Sequence, residues 1–277
     1  MVRQNTSGRK PYKDLTFTDD YMFCRVLEND LELARQLLEV VLDKKIRKVE
    51  LADPQRTISV DSDSKSVRLD VYLEDDAGTV FDLEMQTAHK DILPKRSRYY
   101  QSIMDIDHLA TGMSYDELPE TYVIFICMFD PCGKGLARYE FRSLCRDNPE
   151  IELADGTRKV FLNADCIRED ISPELRALFD FLNGREPASD LTRYIRESVN
   201  KAKTNRRWER EYVTVAEKIR EERAEAAAEA YAEAHVSSKT EDVDALIEKL
   251  GMTAEDACSI LDFSITKYHL YKSDEVS

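Results

Sequence analysis

Two amphipathic helices are the first elements that the pattern of apolar positions predicts. Thr16 or Thr18 can cap the first helix, which would run through residues 19–28 with an apolar face. Asn29 would cap the second helix, and Glu32 would complete a capping box with it. The second helix has a continuous apolar stripe, so we expect it to pack against a core. The residues of this stripe are Leu31, Ala34, Leu37, Leu38, Val41 and Leu42.

A β-hairpin is predicted next, because the spacing of apolar residues changes from helical to alternating. Apolar side chains occupy every second position from Val67 to Leu73 and again from Phe81 to Met85. Residues 75–78 between them have the composition of a turn. Alternation places the remaining side chains on the opposite, polar face of the hairpin. This face carries Arg68, Asp70, Tyr72, Asp82, Glu84 and Gln86.

The register of the hairpin brings two acidic residues together. A short loop centred on Ala77 pairs Val71 with Leu83, which keeps apolar residues on one face, and it places Asp70 opposite Glu84. Directly opposed side chains have Cβ atoms about 5 Å apart, and two carboxylates at that distance repel each other. A divalent cation such as Mg²⁺ would offset the repulsion, because it prefers hard oxygen ligands. An ordinary charged pair on the solvent-exposed face of a hairpin is the alternative, and spacing alone leaves both interpretations open.

The remaining elements complete a mixed α/β pattern. A helix is predicted at 95–110, and Thr121 to Phe129 is a nearly continuous apolar run, typical of a strand buried on both faces. Shorter strands are predicted at 138–142 and 158–162, and the pattern is helical from Ser172 onward. This order predicts an α/β fold with a central mixed sheet flanked by helices. The face of the 95–110 helix that we expect to be buried contains Tyr99, Ile103, Ile106 and Ala110.

Composition and charge limit the kinds of partner and location. The net charge of −15 excludes a surface that is basic all over, so contacts with nucleic acid would need a local basic stripe. The most apolar run, from Tyr122 to Phe129, has eight residues, less than half of the length that a membrane span needs. The polar N-terminus lacks the apolar stretch of a secretory signal, and six scattered cysteines without a CxxC pair indicate reduced thiols. We therefore expect a cytoplasmic protein with no membrane contact and no bound zinc.

A local basic cluster follows the hairpin. Lys95, Arg96 and Arg98 fall in the first turn of the predicted helix, beside Tyr99 and Tyr100. These cations could contact phosphates next to the acidic pair. An equal alternative is that Tyr99 packs in the core while the three cations stay solvated.

Several motifs in this order resemble the recombination-promoting nuclease and transposase family of the PD-(D/E)XK nuclease superfamily. Any one of them is weak, but their order is fairly specific, and the similarity covers about residues 14–165. The hairpin resembles the D…ExQ form of the nuclease signature. The matching segments are Asp20–Phe23, Arg68–Val71, Phe81–Gln86, Lys95–Ser102 and Tyr122–Asp130.

The resemblance implies a restriction-endonuclease-like α/β core and metal-dependent hydrolysis of double-stranded DNA, with Mg²⁺ and, as a further possibility, Mn²⁺ as the ion. Asp70 and Glu84 would bind the metal together with the backbone carbonyl of Met85. Gln86 would orient the attacking water, and Asp20 would supply an outer carboxylate. These four side chains, Asp20, Asp70, Glu84 and Gln86, are the expected catalytic set. The expected DNA contacts are Lys95, Arg96, Arg98 and Tyr100.

Two departures from the superfamily pattern keep a second hypothesis open. Leu69 stands where the superfamily name has a proline, and Gln86 stands in place of the lysine. A neutral amide cannot provide the electrostatic stabilisation that a cation gives to developing negative charge. The alternative is therefore a catalytically weak or inactive nuclease-fold module that binds DNA or protein and has a regulatory role.

Three regions are predicted along the chain. Residues 1–13 are polar and are expected to be disordered, residues 14–185 would form the nuclease-like domain, and residues 186–277 would form a helical extension with a long charged helix. The last segment, 242–271, could form a helix-turn-helix-like unit that reads DNA. Its acidic residues make contact with a second copy or another protein an equal alternative.

Overall fold

The computed structural model of the chain has a restriction-endonuclease-like α/β fold, with a six-stranded mixed sheet flanked by helices. The predicted fold class is therefore confirmed. The predicted positions at Val67, Arg68 and Ala110 lie outside the described residues. The structure describes residues 10–52, 69–89, 91–109 and 112–274.

The sheet has the strand order β1-β2-β3-β4-β6-β5. Its strands are β1 Val49–Leu51, β2 Val71–Asp75, β3 Val80–Gln86, β4 Thr121–Cys127, β5 Arg138–Phe141 and β6 Thr157–Asn163. The three central strands β3, β4 and β6 run parallel, and the outer pairs are antiparallel. The strand β1 was not predicted from the sequence, because a three-residue edge strand carries almost no alternation.

The helices follow the predicted order closely. They are α1 Asp20–Asn29, α2 Leu31–Leu42, α3 Leu93–His108, α4 Pro173–Leu182, α5 Asp190–Lys203, α6 Arg206–Leu250, α7 Ala254–Ile260 and α8 Ile265–Asp274. Two predicted caps are wrong. The N-cap of α1 is Asp19 rather than Thr16 or Thr18. Asn29 is the last residue of α1, and Asp30 caps α2 by accepting a hydrogen bond from the backbone N–H of Leu33. Within the described part of the chain, no helix combines the length and the apolarity that crossing a membrane requires.

The two faces of the sheet pack against different helices. On one face, the Phe81 ring stacks on Tyr122 at 5.3 Å between centroids, and Lys44, which follows α2, lies over the Tyr122 ring. The other face is covered by α3. The core cluster there joins Val80, Val123, Phe125 and Cys127 of the sheet to Leu93, Tyr100, Ile103 and Met104 of the helix.

The chain divides into two compact units, and the boundary along the sequence lies between Glu209 and Arg210. The first unit includes α5, which lies beyond the predicted boundary at residue 185. Order also begins before residue 14, since Tyr12 is buried and its hydroxyl donates a hydrogen bond to the Ala202 carbonyl at 2.7 Å.

The second unit has a small core of its own. Helices α7 and α8 contact each other, and the core contains Val243, Ala257, Cys258 and Tyr268. The expected use of these helices to contact a second copy or another protein stays a prediction.

Candidate active site

Three polar side chains of β3 lie in the interior of the first unit. Asp82, Glu84 and Gln86 expose 0, 1 and 7% of their surface. The alternative of a charged pair on a solvent-exposed hairpin face is therefore wrong. The hairpin face is buried because β3 pairs with β4 as well as with β2, and because α3 covers the side that carries these residues. Buried acidic groups are costly unless they are paired, hydrogen-bonded or bound to a metal, and proteins keep them mainly at functional sites.

The predicted hairpin register is confirmed, and it ends at the acidic pair. Val71 lies opposite Leu83 in the last pair of the β2–β3 ladder. One residue earlier, the backbone N–H of Asp70 donates to Glu84 Oε1 at 3.1 Å. The backbone N–H of Met85 donates to Asp70 Oδ2 at 3.4 Å. Beyond the last ladder pair, each strand thus donates a backbone hydrogen bond to a carboxylate of the other strand. The side chains of Asp70 and Glu84 lie next to each other where the two strands separate.

The backbone carbonyl of Met85 points to the same edge of β3 as the one on which Asp70 lies. The carbonyl of the next residue, Gln86, accepts a hydrogen bond from the backbone N–H of Met128, which follows β4. Successive carbonyls of a strand point in opposite directions along the sheet. The Met85 carbonyl therefore points towards β2, where Asp70 is located. These two carboxylates and one carbonyl form a set of hard oxygen atoms.

The electrostatics of the site favour an added positive charge. Burial, followed by the charge of Asp70, raises the pKa of Glu84 to about 8, although Arg96 acts in the opposite direction. Burial and the neighbouring Glu84 raise the pKa of Asp82 well above its usual range. Neither carboxyl oxygen of Asp82 accepts a hydrogen bond from the described residues. Burial and mutual repulsion thus disfavour the ionised forms of Asp82 and Glu84.

Asp20 contributes to the same electrostatic environment. It is the first residue of α1 and is exposed, and its charge is among the causes that raise the pKa of Glu84. The family resemblance implied an outer carboxylate at this position. The structure brings Asp20 into the electrostatic surroundings of Glu84, and its role in catalysis stays a prediction.

Arg96 of α3 points into the site and places a positive charge against Glu84. Its Nη2 contacts Glu84 Oε2 at 2.5 Å, its Nη1 donates to Gln86 Oε1 at 2.9 Å, and its Nε donates to the Tyr100 hydroxyl at 2.6 Å. The guanidinium carbon also lies 4.9 Å from the centroid of the Tyr100 ring and 5.4 Å from that of Phe125. Burial lowers the pKa of Arg96, but Glu84, Tyr100 and Asp70 together raise it by more.

These contacts change the interpretation of the basic helix. Tyr100 was predicted as a DNA contact, but it exposes only 6% of its surface, so its ring belongs to the core. Tyr99 was predicted to face the core and is 39% exposed, and Ile106 is 55% exposed. The buried face of α3 is therefore rotated from the predicted one. Lys95 and Arg98 are exposed, as surface contacts would be.

The predicted site residues are thus only partly brought together. Asp70, Glu84 and Gln86 converge at the end of β2, whereas Lys95 and Arg98 remain outside this cluster. The contact between Arg96 and Gln86 was missed, because no sequence spacing relates a strand residue to one on the following helix. Asp82 was already on the predicted polar face, and its alternation with Glu84 was the available signal.

The donor set fits a divalent cation that is completed by water or substrate. Among the residues that the structure describes, no three His, Cys, Asp or Glu side chains form a complete metal site. Two carboxylates and a carbonyl would hold the ion from one side, as is common for Mg²⁺, which usually keeps several waters. The ionised forms of Asp82 and Glu84 are disfavoured by burial in the metal-free chain, and such an ion would stabilise them.

Comparisons with known proteins support a nuclease. Neither a curated protein nor a solved structure was found that matches the chain. A family described as PD-(D/E)XK nuclease family transposase matches residues 17–163, which are more than half of the 277 residues. The matched segment contains Asp20, the complete sheet and α3. This chain therefore belongs to the PD-(D/E)XK nuclease transposase family.

Proposed function

We propose that this protein is a metal-dependent endonuclease that hydrolyses phosphodiester bonds of double-stranded DNA. The observation that carries the proposal is the meeting of Asp70 and Glu84 at the point where β2 separates from β3. Mg²⁺ is the proposed ion, with Mn²⁺ as a substitute, because the available ligands are all oxygen atoms.

Asp70, Glu84 and the carbonyl of Met85 would hold the ion, and Asp20 would act as an outer carboxylate. When bound, such an ion holds the scissile phosphate and lowers the pKa of an attacking water. Gln86 is the proposed water-orienting residue. Its Nε2 already donates to the Ala88 carbonyl at 2.9 Å, which fixes the orientation of the amide.

The proposed reaction is an in-line displacement at phosphorus. A water oxygen forms a bond to phosphorus, and the bond from phosphorus to the leaving sugar oxygen breaks. One water proton is released to solvent, and the leaving oxygen takes up one proton from solvent. Lys95 and Arg98, exposed on the first two turns of α3, are proposed to contact the DNA backbone beside the site.

A plasmid-nicking assay tests this function directly. The wild-type protein should convert supercoiled plasmid to nicked or linear forms with Mg²⁺, and excess chelator should stop the reaction. Asp70→Ala should reduce the rate by at least about 100-fold, because it removes an ion ligand. Glu74→Ala is the matched control, since Glu74 is an exposed carboxylate on β2, the strand that begins directly after Asp70, and it should cleave like the wild type. Equal cleavage by the wild type and Asp70→Ala would mean that the assignment is wrong.

A second candidate is a nuclease-fold module with weak or no catalysis that binds DNA or protein. It is favoured by the ion pair that Arg96 forms with Glu84, by the glutamine in place of lysine, and by the net charge of −15. A Mg²⁺ titration distinguishes the two proposals. A rise in melting temperature with Mg²⁺ supports the enzyme, whereas no rise, with DNA or partner binding retained, supports the binding module.

The biological role that we propose is a DNA cut in the cytoplasm that promotes recombination or accompanies transposition. No residue of the site requires strand joining, since a break alone can stimulate recombination by other enzymes. Analysis of the reaction products would separate the two mechanisms, because joined strands indicate transposition chemistry and broken strands indicate hydrolysis.

A further inference from the structure

We infer that Arg96 supplies the catalytic positive charge that the superfamily places on a lysine at the position of Gln86, and that Gln86 positions Arg96. This inference rests on the proposed nuclease function and assigns a new role within the same site. In it, Arg96 contacts the reacting phosphate rather than the DNA backbone away from the cut.

The neighbours of Arg96 hold its guanidinium group in a defined position. Glu84 and Gln86 each bind one terminal nitrogen, and the Tyr100 hydroxyl accepts from Nε. The rings of Tyr100 and Phe125 lie beside the guanidinium carbon. These neighbours come from β3, β4 and α3, so the orientation of Arg96 is fixed by three elements of the core.

Gln86 is the residue that links the motif to this cation. Its amide oxygen accepts from Arg96, and its amide nitrogen donates to the Ala88 carbonyl. A lysine at the same position could not accept a hydrogen bond, and it would place a second cation against the guanidinium. The glutamine therefore suits a site whose positive charge comes from the helix.

Arg96 still has donors for a substrate. A guanidinium has more N–H groups than its three polar contacts use, so N–H groups remain on Nη1 and on Nη2. Paired N–H groups of arginine match the geometry of a phosphate. Arg96 is also intermediate in exposure, unlike the buried acids, so one side of it reaches the surface of the unit.

The location of Arg96 beside Glu84 gives this charge its catalytic use. During hydrolysis the phosphoryl oxygens gain negative charge, and a fixed cation stabilises that charge without reorganising. Arg96 donates hydrogen bonds and transfers no proton, so the proposed reaction keeps its balance of atoms and charge. Tyr100 acts through Arg96 and is a positioning residue, and Gln86 positions Arg96 in addition to the water-orienting role proposed above.

The test compares Arg96→Ala and Arg96→Gln with the wild type in single-turnover DNA cleavage at saturating protein and Mg²⁺. Both variants should lose about 100-fold in rate, the effect of removing one strong donor from a transition state. Arg96→Lys should lose less, because it keeps the charge without the fork geometry. Added methylguanidinium should increase the cleavage rate of Arg96→Ala by at least about tenfold.

Two further measurements separate catalysis from structure. Arg47→Ala, which removes a cation that is 90% exposed, should cleave like the wild type. Calorimetric titration with Mg²⁺ in the absence of DNA should show that Arg96→Ala and Arg96→Gln bind the ion at least as tightly as the wild type, since Glu84 no longer shares an oxygen with the guanidinium.

The outcomes distinguish this inference from the function on which it rests. A wild type that does not cleave DNA rejects the nuclease and the inference with it. A wild type that cleaves, with Arg96→Ala cleaving within twofold of it, rejects the inference alone. Loss of activity that methylguanidinium does not restore, together with weaker Mg²⁺ binding, would assign Arg96 a structural role and would also overturn the inference.

Discussion

The buried Glu84 predicts an unusual pH dependence of stability. Its pKa is raised from 4.5 to about 8 in the folded chain, mainly by burial and by the charge of Asp70. A carboxyl group with a raised pKa holds a proton in the folded state at pH values where the unfolded chain has released it. Lowering the pH from 8 towards 5 should therefore stabilise the metal-free protein, the opposite of what happens for a carboxyl group whose pKa is lowered by folding.

The size of the effect follows from proton linkage. One extra bound proton changes the free energy of unfolding by about 1.4 kcal/mol per pH unit. Between pH 8 and pH 6 this amounts to about 2 kcal/mol, which corresponds to a melting temperature roughly 4–8 °C higher for a unit of this size. Asp82, whose pKa is also raised by burial, adds to the effect in the same direction.

The assay is thermal unfolding of chelator-treated protein at pH 6 and at pH 8, followed by circular dichroism. Glu84→Gln should show a smaller difference in melting temperature between the two pH values, because one titrating group is removed while the volume of the side chain is kept. Glu74→Gln, which changes an exposed carboxylate on β2, should behave like the wild type. With Mg²⁺ present, the stabilisation by the ion should be larger at pH 8 than at pH 6, since metal ligands must be ionised.

The refuting result is equally specific. If wild type and Glu84→Gln change in melting temperature by the same amount between pH 6 and pH 8, Glu84 is not the titrating group. If Mg²⁺ stabilises the protein equally at both pH values, the ion does not bind the buried carboxylates.

Two further predictions concern the DNA contacts and the core. The double variant Lys95→Ala/Arg98→Ala should weaken DNA binding, measured by fluorescence anisotropy, and reduce the slope of log affinity against log salt by about 2. A slope equal to that of Arg47→Ala would contradict the proposed phosphate contacts. Leu83→Ala should lower the free energy of unfolding by about 2–5 kcal/mol in denaturant titration, because Leu83 is fully buried in β3, and a loss below about 1 kcal/mol would contradict the described packing.

The hairpin could be predicted from sequence because its register depends on local information. A turn centred on Ala77 and alternating apolar residues were sufficient to place Val71 opposite Leu83, and the structure has this pair. Burial of the polar face could not be predicted in the same way. It depends on packing against β4 and α3, which the pattern within the hairpin does not contain, and a polar face usually indicates solvent.

The rotation of α3 shows a second limit of pattern analysis. Adjacent tyrosines at 99 and 100 allow two apolar faces, and only one of them can pack on the sheet. The structure buries Tyr100 with Ile103 and Met104 and leaves Tyr99 partly exposed. The same rotation directs Arg96 to Glu84, so a polar contact and apolar packing select the same face. Hydrophobic periodicity alone contains no information about such an ion pair.

The replacement of lysine by glutamine has a different meaning once Arg96 is considered. In the sequence alone, the neutral Gln86 indicated a loss of catalytic charge. In the structure, Gln86 and Glu84 together hold a guanidinium at 2.9 and 2.5 Å, so the positive charge is present but comes from α3. A lysine at 86 would repel that guanidinium and lose its acceptor. The amide and the arginine are therefore one functional unit, and the activity of a chain with glutamine at this position depends on whether its helix supplies the cation.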